Sequence, residues 1–153
     1  MAEIDQTAIR SLRSLILAGE RYRQTVAEQT GLGITETQAI SSLITYGDRG
    51  QHELAVDLGL SSGASTALVD RLERQGIAER YPHPTDRRRT LVRLTEQGLD
   101  VVRRSGDWLA AALRDVVPPS EMGRLAETLT TIAEQLNQES SRLAAKEDVS
   151  REA

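Results

Sequence analysis

The segment from Glu53 to Gly98 is punctuated so closely by glycine and proline that few folds can hold it. Glu53-Leu54-Ala55-Val56-Asp57-Leu58 reads as a short helix that breaks at Gly59. Ser61 or Ser62 can cap a second helix, which runs to Gln75 and stops at Gly76. Two short helices joined by a tight turn result. Ala55 is small where they must cross, Gly59 can take the turn conformation, and Leu68 and Leu72 point back into a core. Many helical hairpins share this spacing, so by itself it leaves DNA recognition as one option among several.

The residues after Gly76 narrow the choice. The alternating stretches Ile77 to Tyr81 and Thr90 to Leu94 bracket "PHPTDRRR", whose two prolines exclude helix, so the spacing predicts a β-hairpin with a long basic tip. The charge around it is unevenly spread. Between Arg71 and Arg93 stand seven arginines and three acids, a local balance of +4, which leaves -8 for the rest of a chain whose formal net charge is -4. A solvated face is the ordinary reading of such a run. The second short helix gives it a direction, because its expected exposed face carries Ser62, Ser65, Thr66, Ala67, Asp70, Arg71 and Arg74. Small polar side chains let a helix enter a major groove and touch base edges, while arginines meet phosphate or guanine.

Longer helices flank this segment. Ala8, Leu12, Leu15, Gly19, Tyr22 and Val26 recur at spacings of 4, 3, 4, 3 and 4, the seam of an amphipathic helix ending before Gly31 and Gly33. Thr35, with Gln38 three residues on, is the expected cap of a shorter helix with Ile40, Leu43 and Ile44 on its apolar face and Gly47 as its stop. Thr95 caps another long helix bearing Leu99, Val102, Gly106, Leu109, Leu113 and Val116, ended by Pro118-Pro119. A last helix restarts at Ser120 with Leu125, Leu129, Ile132, Leu136 and Leu143 in register; its end after Lys146 is polar and expected to fray. Such seams at both ends offer more apolar surface than one small lobe can cover, which suggests pairing with a second copy; a monomeric bundle would account for them equally well. The expected fold is therefore mainly α with a small β-hairpin wing: a winged helix-turn-helix over 34–98, dimerisation helices over 1–33 and 99–147, and a polar tail over 148–153.

The stretch "ELAVDLGLSSGASTALVDRLERQGIAERYPHPTDRRRTLVRLTEQG" resembles the MarR family of bacterial transcription regulators. The family's hallmark, an Asp-x-Arg wing tip followed by a strand and Leu-Thr-x-x-Gly, is matched here by Asp86, Arg88, Leu94, Thr95 and Gly98. The flanking helices match in position and length rather than in motif. The resemblance implies a homodimer on pseudo-palindromic, double-stranded operator DNA, repression of nearby genes, and release of DNA by a small aromatic or anionic ligand. It also implies that Arg88 reaches into the minor groove with Asp86 as its brace. Arg87 and Arg89 are expected to meet phosphates, and Tyr46 and Trp108 to line a ligand cavity.

Several other functions are excluded or disfavoured. The chain has no cysteine, which removes disulfides, thiolate nucleophiles, thiolate metal sites and cysteine-based redox sensing. His52 and His83 are the only imidazoles and make a poor metal set, so no metal and no cofactor are expected. No serine lies in a nucleophile-elbow pattern and no glycine loop resembles a phosphate cradle, so the chain is not expected to be an enzyme. It carries no apolar run near the roughly 20 residues of a membrane helix and no recognisable secretory start, which points to the cytoplasm and away from a membrane. The competing reading is a winged-helix interaction protein that acts through a protein partner or heterodimer. The three consecutive arginines argue against it, since a wing that no longer meets DNA has no reason to keep them.

Overall fold

The computed structural model describes residues 6–86 and 88–151, with side chains through 143. The order is α1 (Gln6–Thr30), α2 (Ile34–Tyr46), β1 (Arg49–Gly50), α3 (Gln51–Asp57), α4 (Ser62–Arg74), β2 (Ala78–Pro82), β3 (Thr90–Leu94), α5 (Glu96–Arg114), a 3₁₀ turn (Pro119–Glu121) and α6 (Met122–Arg151). The chain divides into two compact units between Asp107 and Trp108, inside α5.

The first unit is a winged helix-turn-helix. Its core gathers Ala39, Ile40 and Leu43 of α2, Leu54 of α3, Leu68, Val69 and Leu72 of α4, Ile77, Ala78, Val92 and Val101. Leu68 and Leu72 face inward as their spacing predicts, while Ile44, one turn beyond the buried Ile40 on α2, is exposed. Helix α1 joins this unit near its C-terminal end, where Val26 and Ala27 are buried and the Tyr22 hydroxyl donates to the Ser105 carbonyl at 2.7 Å.

Three antiparallel strands run in the order β1-β3-β2. The hairpin register pairs Ala78 with Leu94 and Pro82 with Thr90, so β2 begins one residue later than its alternation suggests and includes the first proline. The third strand was not legible in the sequence. It is only Arg49-Gly50, paired with Val92 and Leu91, and two residues carry no alternation to detect.

Helix ends follow local chemistry. Helix α2 starts one residue before Thr35, with Gly33 as its N-cap; the carboxylate of Glu36, at N3, accepts the Gly33 N–H. A charged acceptor reaching back to the Gly33 N–H fixes the helix start at this earlier position. The same device repeats at α3, where Glu53 Oε2 accepts the Gly50 N–H at 2.9 Å. Ser61 caps α4 through the Ala64 N–H, and Gly59 and Gly76 take φ of 62° and 70°, which side-chain-bearing residues rarely adopt.

The junction between β3 and α5 is tight. The Thr95 hydroxyl donates to the Gly76 carbonyl and accepts the Gly98 N–H, while the Thr95 N–H donates to the Ile77 carbonyl at 3.0 Å. A Cβ on Gly98 would lie 2.2 Å from the Ile77 carbonyl oxygen. The Leu-Thr-x-x-Gly signature is thus a packing requirement: the first turn of α5 lies directly on the backbone between α4 and β2.

In the second unit α6 continues through residue 151, past the point where a polar tail was expected to fray. Helical hydrogen bonding needs no apolar partner, so a polar stretch can continue the ladder. Parts of the apolar surface on both flanks stay exposed in the single chain, although Val26 at the end of the α1 seam is buried. Leu15, Ile16 and Leu17 on α1 and Leu109, Leu113, Leu129, Leu136 and Leu143 on α5 and α6 are between 37% and 63% exposed. No helix among the described residues is long and apolar enough to cross a membrane.

Gly98→Ala is expected to destabilise the protein by at least about 2 kcal/mol, because overpacking against a backbone carbonyl cannot relax by a rotamer change. That loss runs against the roughly 1 kcal/mol that alanine gains over glycine in a helix interior. Urea unfolding of the two proteins checks it.

Candidate nucleic-acid interface

Helix α4 packs against α3 and against β2 of the wing. On α4, Ser62, Thr66, Ala67 and Arg74 are exposed, and the Arg74 Nε donates to the Asp70 carbonyl one turn back. Ser65 is not on this face. It is completely buried, and its hydroxyl donates to the Gln51 carbonyl at 3.1 Å, tying α4 to the start of α3. Burial removes it from any base contact; it belongs to the crossing of the two helices, where a small side chain with a donor satisfies a backbone acceptor.

Gln51 anchors more of this arrangement. Its side-chain amide donates to the Thr66 hydroxyl, and its Oε1 receives Arg80 Nε and Nη2 at 3.4 and 3.3 Å. Arg80 also pairs with Asp70 at 2.8 Å and with Glu73, binding β2 to α4. Sequence reasoning missed Gln51 and Arg80 because they are 29 positions apart and no local pattern joins them.

The arginines are sorted by their partners. Arg71 Nε lies 2.9 Å from Glu36 Oε1, the capping carboxylate of α2, which is itself buried. Arg71, expected on the DNA-facing side of α4, is partly exposed, and its Nε ties α4 to α2, since a buried carboxylate needs a cation. Arg89 pairs with Glu53 at 3.0 Å, and Arg93 pairs with Glu79 at 2.7 Å while lying 4.7 Å over the Tyr81 ring. Arg88, at the exposed tip, has no ion pair among the described residues. Arg87 lies outside them. Of the local positive charge, Arg74 and Arg88 are the described guanidinium groups that no carboxylate neutralises.

The tip is built by short hydrogen-bonded turns. Asp86 Oδ1 accepts the backbone N–H of Arg88 at 3.1 Å, and the Asp86 carbonyl accepts the Arg89 N–H at 2.9 Å. Asp86 therefore braces the backbone of Arg88 and not its guanidinium. His83 has a structural part as well: its Nδ1 lies 3.3 and 3.2 Å from the Thr85 and Asp86 N–H groups, the acceptor of a turn. The Glu53 carboxyl is held below the usual carboxylate range, first by the Gly50 N–H and then, against partial burial, by the charge of Arg89. Its small stabilising contribution is present above the ordinary carboxylate pKa and fades as pH falls through the lowered value.

Tyr46 and Trp108, the expected cavity aromatics, fall in different units. Tyr46 is exposed, lies under the Arg49 guanidinium at 4.8 Å, and borders an open cleft of about 300 Å³ with Arg23, Ser41, Ser42, Thr45 and Asp57. Trp108 is 44% exposed.

A helix-turn-helix whose second helix presents short polar groups, beside a three-stranded wing, defines a winged-helix protein. The model of the MarR family matches residues 32–90. The uncharacterized HTH-type transcriptional regulator YcgE of Bacillus subtilis (strain 168) is 36% identical over 91 residues, 60% of this chain and 59% of its own length. The HTH-type transcriptional regulator MhqR of the same organism is 30% identical over 99 residues, 61% of this chain and 68% of its own length. In three dimensions the chain is similar to RV1404 from Mycobacterium tuberculosis, with a TM-score of 0.61 at 28% identity, over 88% of this chain and 94% of that one. The match to YcgE thus spans about three fifths of that relative. This chain belongs to the MarR family, whose members are transcription regulators and not enzymes.

Ser65→Ala is expected to lower stability by about 1 kcal/mol, since it removes the hydrogen bond by which the buried hydroxyl ties α4 to the Gln51 carbonyl. Ser62→Ala, on the exposed face, should stay within about 0.5 kcal/mol of the parent in the same urea unfolding measurement.

Proposed function

We propose that the protein is a cytoplasmic, homodimeric repressor that binds operator DNA and is released from it by a small ligand. The observation that carries the DNA-binding part is the sorting of arginines. Arg71, Arg80, Arg89 and Arg93 are held by carboxylates, whereas the wing-tip Arg88 and Arg74, on the helix that exposes the short side chains of Ser62, Thr66 and Ala67, have none among the described residues. Short side chains and an unneutralised cation on an exposed helix suit a major groove; an arginine at the end of a hairpin suits a narrow minor groove, where negative potential is concentrated.

In this reading α4 is the recognition helix. Ser62, Thr66 and Ala67 meet base edges, Arg74 meets phosphate, and Arg88 enters the minor groove on a backbone held by Asp86. Arg87, between the two tip residues, is a further phosphate ligand. Support for a dimer comes from the uncovered leucines of α1, α5 and α6: apolar stripes of this length on both flanks suit a second copy. A two-fold dimer would space its recognition helices roughly 34 to 36 Å apart, one turn of DNA.

The test is binding of the purified full chain to its own upstream DNA across a salt series. A specific site should emerge as a pseudo-palindrome, with a hydrodynamic mass of two chains. Arg74→Ala is expected to reduce the slope of log K against log salt by roughly 0.9. Arg88→Ala should also erase preference for A·T-rich flanks; unchanged binding to flanks of every composition would end the minor-groove assignment.

Ligand release rests on the open cleft beside Tyr46, where Arg23 and three hydroxyl-bearing residues could receive an anionic or aromatic molecule. A chain without cysteine senses by non-covalent binding, and a ligand releases DNA only by favouring a geometry that DNA does not tolerate. A panel of small aromatic acids is expected to contain compounds that both raise the melting temperature and weaken operator binding. A panel that does neither removes this class of effector.

A further inference from the structure

Arg89 closes the wing tip with its backbone and leaves the wing with its side chain. Its N–H donates to the Asp86 carbonyl and its carbonyl accepts the His83 N–H, both at 2.9 Å. The guanidinium then crosses to α3, where Nη2 meets Glu53 Oε1 at 3.0 Å. The other oxygen of that carboxylate accepts the Gly50 N–H at 2.9 Å, and Gly50 is the residue of β1 paired with Leu91 of β3. One carboxylate thereby joins the first turn of the helix-turn-helix, the short edge strand and the base of the wing tip. A Cβ on Gly50 would be in ordinary van der Waals contact with the same Arg89 nitrogen, at 3.7 Å.

We propose that Glu53 and Arg89 form a strut that sets the wing against the helix-turn-helix, making Arg89 a positioning residue of the DNA complex and not one of its phosphate ligands. The inference rests on the DNA-binding function proposed for this chain and assigns Glu53 a part in it. The pair engages Nη2, so a phosphate that took this donor would have to displace Glu53 and leave its carboxylate facing a polyanion. Arg88, one residue earlier and without a carboxylate, has no such competitor. The two adjacent arginines are thus divided between reading DNA and holding the reader in place.

The strut is tested by a double-mutant cycle in the full-length protein with Glu53→Gln, Arg89→Gln and the double variant. Glutamine at N3 still caps α3, so the fold is retained in Glu53→Gln. Without DNA, hydrogen exchange of the His83 and Arg89 amides is expected to rise about two- to fivefold in each single variant, the equilibrium equivalent of a half-exposed ion pair. The double variant should rise no further than either single one. With operator DNA, both single variants are expected to bind more weakly by a similar factor, with the salt slope of the parent retained in Arg89→Gln. A slope lowered by roughly 0.9 in Arg89→Gln, together with tighter binding by Glu53→Gln, would make Arg89 a phosphate ligand and overturn the proposal. Additive exchange effects would overturn it as well. If the parent binds no DNA, the DNA-binding reading fails by itself, and the exchange cycle still decides whether the strut exists.

Discussion

The close approach of Gly98 to the Ile77 carbonyl is the constraint on which the geometry of the winged lobe depends. Gly76 ends α4, Ile77 leads into β2, Leu94 ends β3 and Thr95 opens α5, so four elements converge within a few residues. The Thr95 hydroxyl and N–H satisfy the Gly76 and Ile77 carbonyls, which would otherwise be left unpaired where a helix gives way to a strand. Any side chain at position 98 would push α5 away and open that junction. The wing, whose two strands begin and end here, would then lose its fixed angle to α4.

Beyond this junction the lobe is tied by charge. Glu36 and Glu53 occupy the same N3 position on two successive helices; each caps its own helix and each holds an arginine from elsewhere in the fold. Such pairs, partly open to water, contribute little energy individually. Their effect is on direction: they fix which guanidinium groups belong to the protein's own structure and which remain available. A high density of arginine in the sequence does not by itself measure the charge offered to a partner, because a carboxylate nearby in space cancels it. Within the arginine-rich segment from Arg71 to Arg93, the described positive charge that no carboxylate holds therefore lies at the wing tip and on α4.

The outer helices follow a different logic. Their apolar stripes are regular enough to specify helix, yet much of α1 and α6 remains uncovered in one chain. Apolar surface arranged along the whole length of a helix favours another helix as its cover, since a matching stripe buries it continuously.

The sequence by itself determined the helices, their stops at glycine and proline, the hairpin and the signature residues Asp86, Arg88, Thr95 and Gly98. These depend on properties acting within a few residues: periodicity, capping, φ freedom and the missing N–H of proline. The helix-turn-helix and the wing were legible for that reason. Only the tertiary structure decided that Ser65 packs inward, that Arg71 and Arg89 are paired, that Arg80 and Gln51 join β2 to the helices, and that Arg49-Gly50 makes a third strand. In each case the deciding partner lies 14 to 43 positions away and enters through burial, a carboxylate, a side-chain amide or strand pairing. Local spacing states which face of a helix a residue occupies; what covers that face is settled when the elements pack.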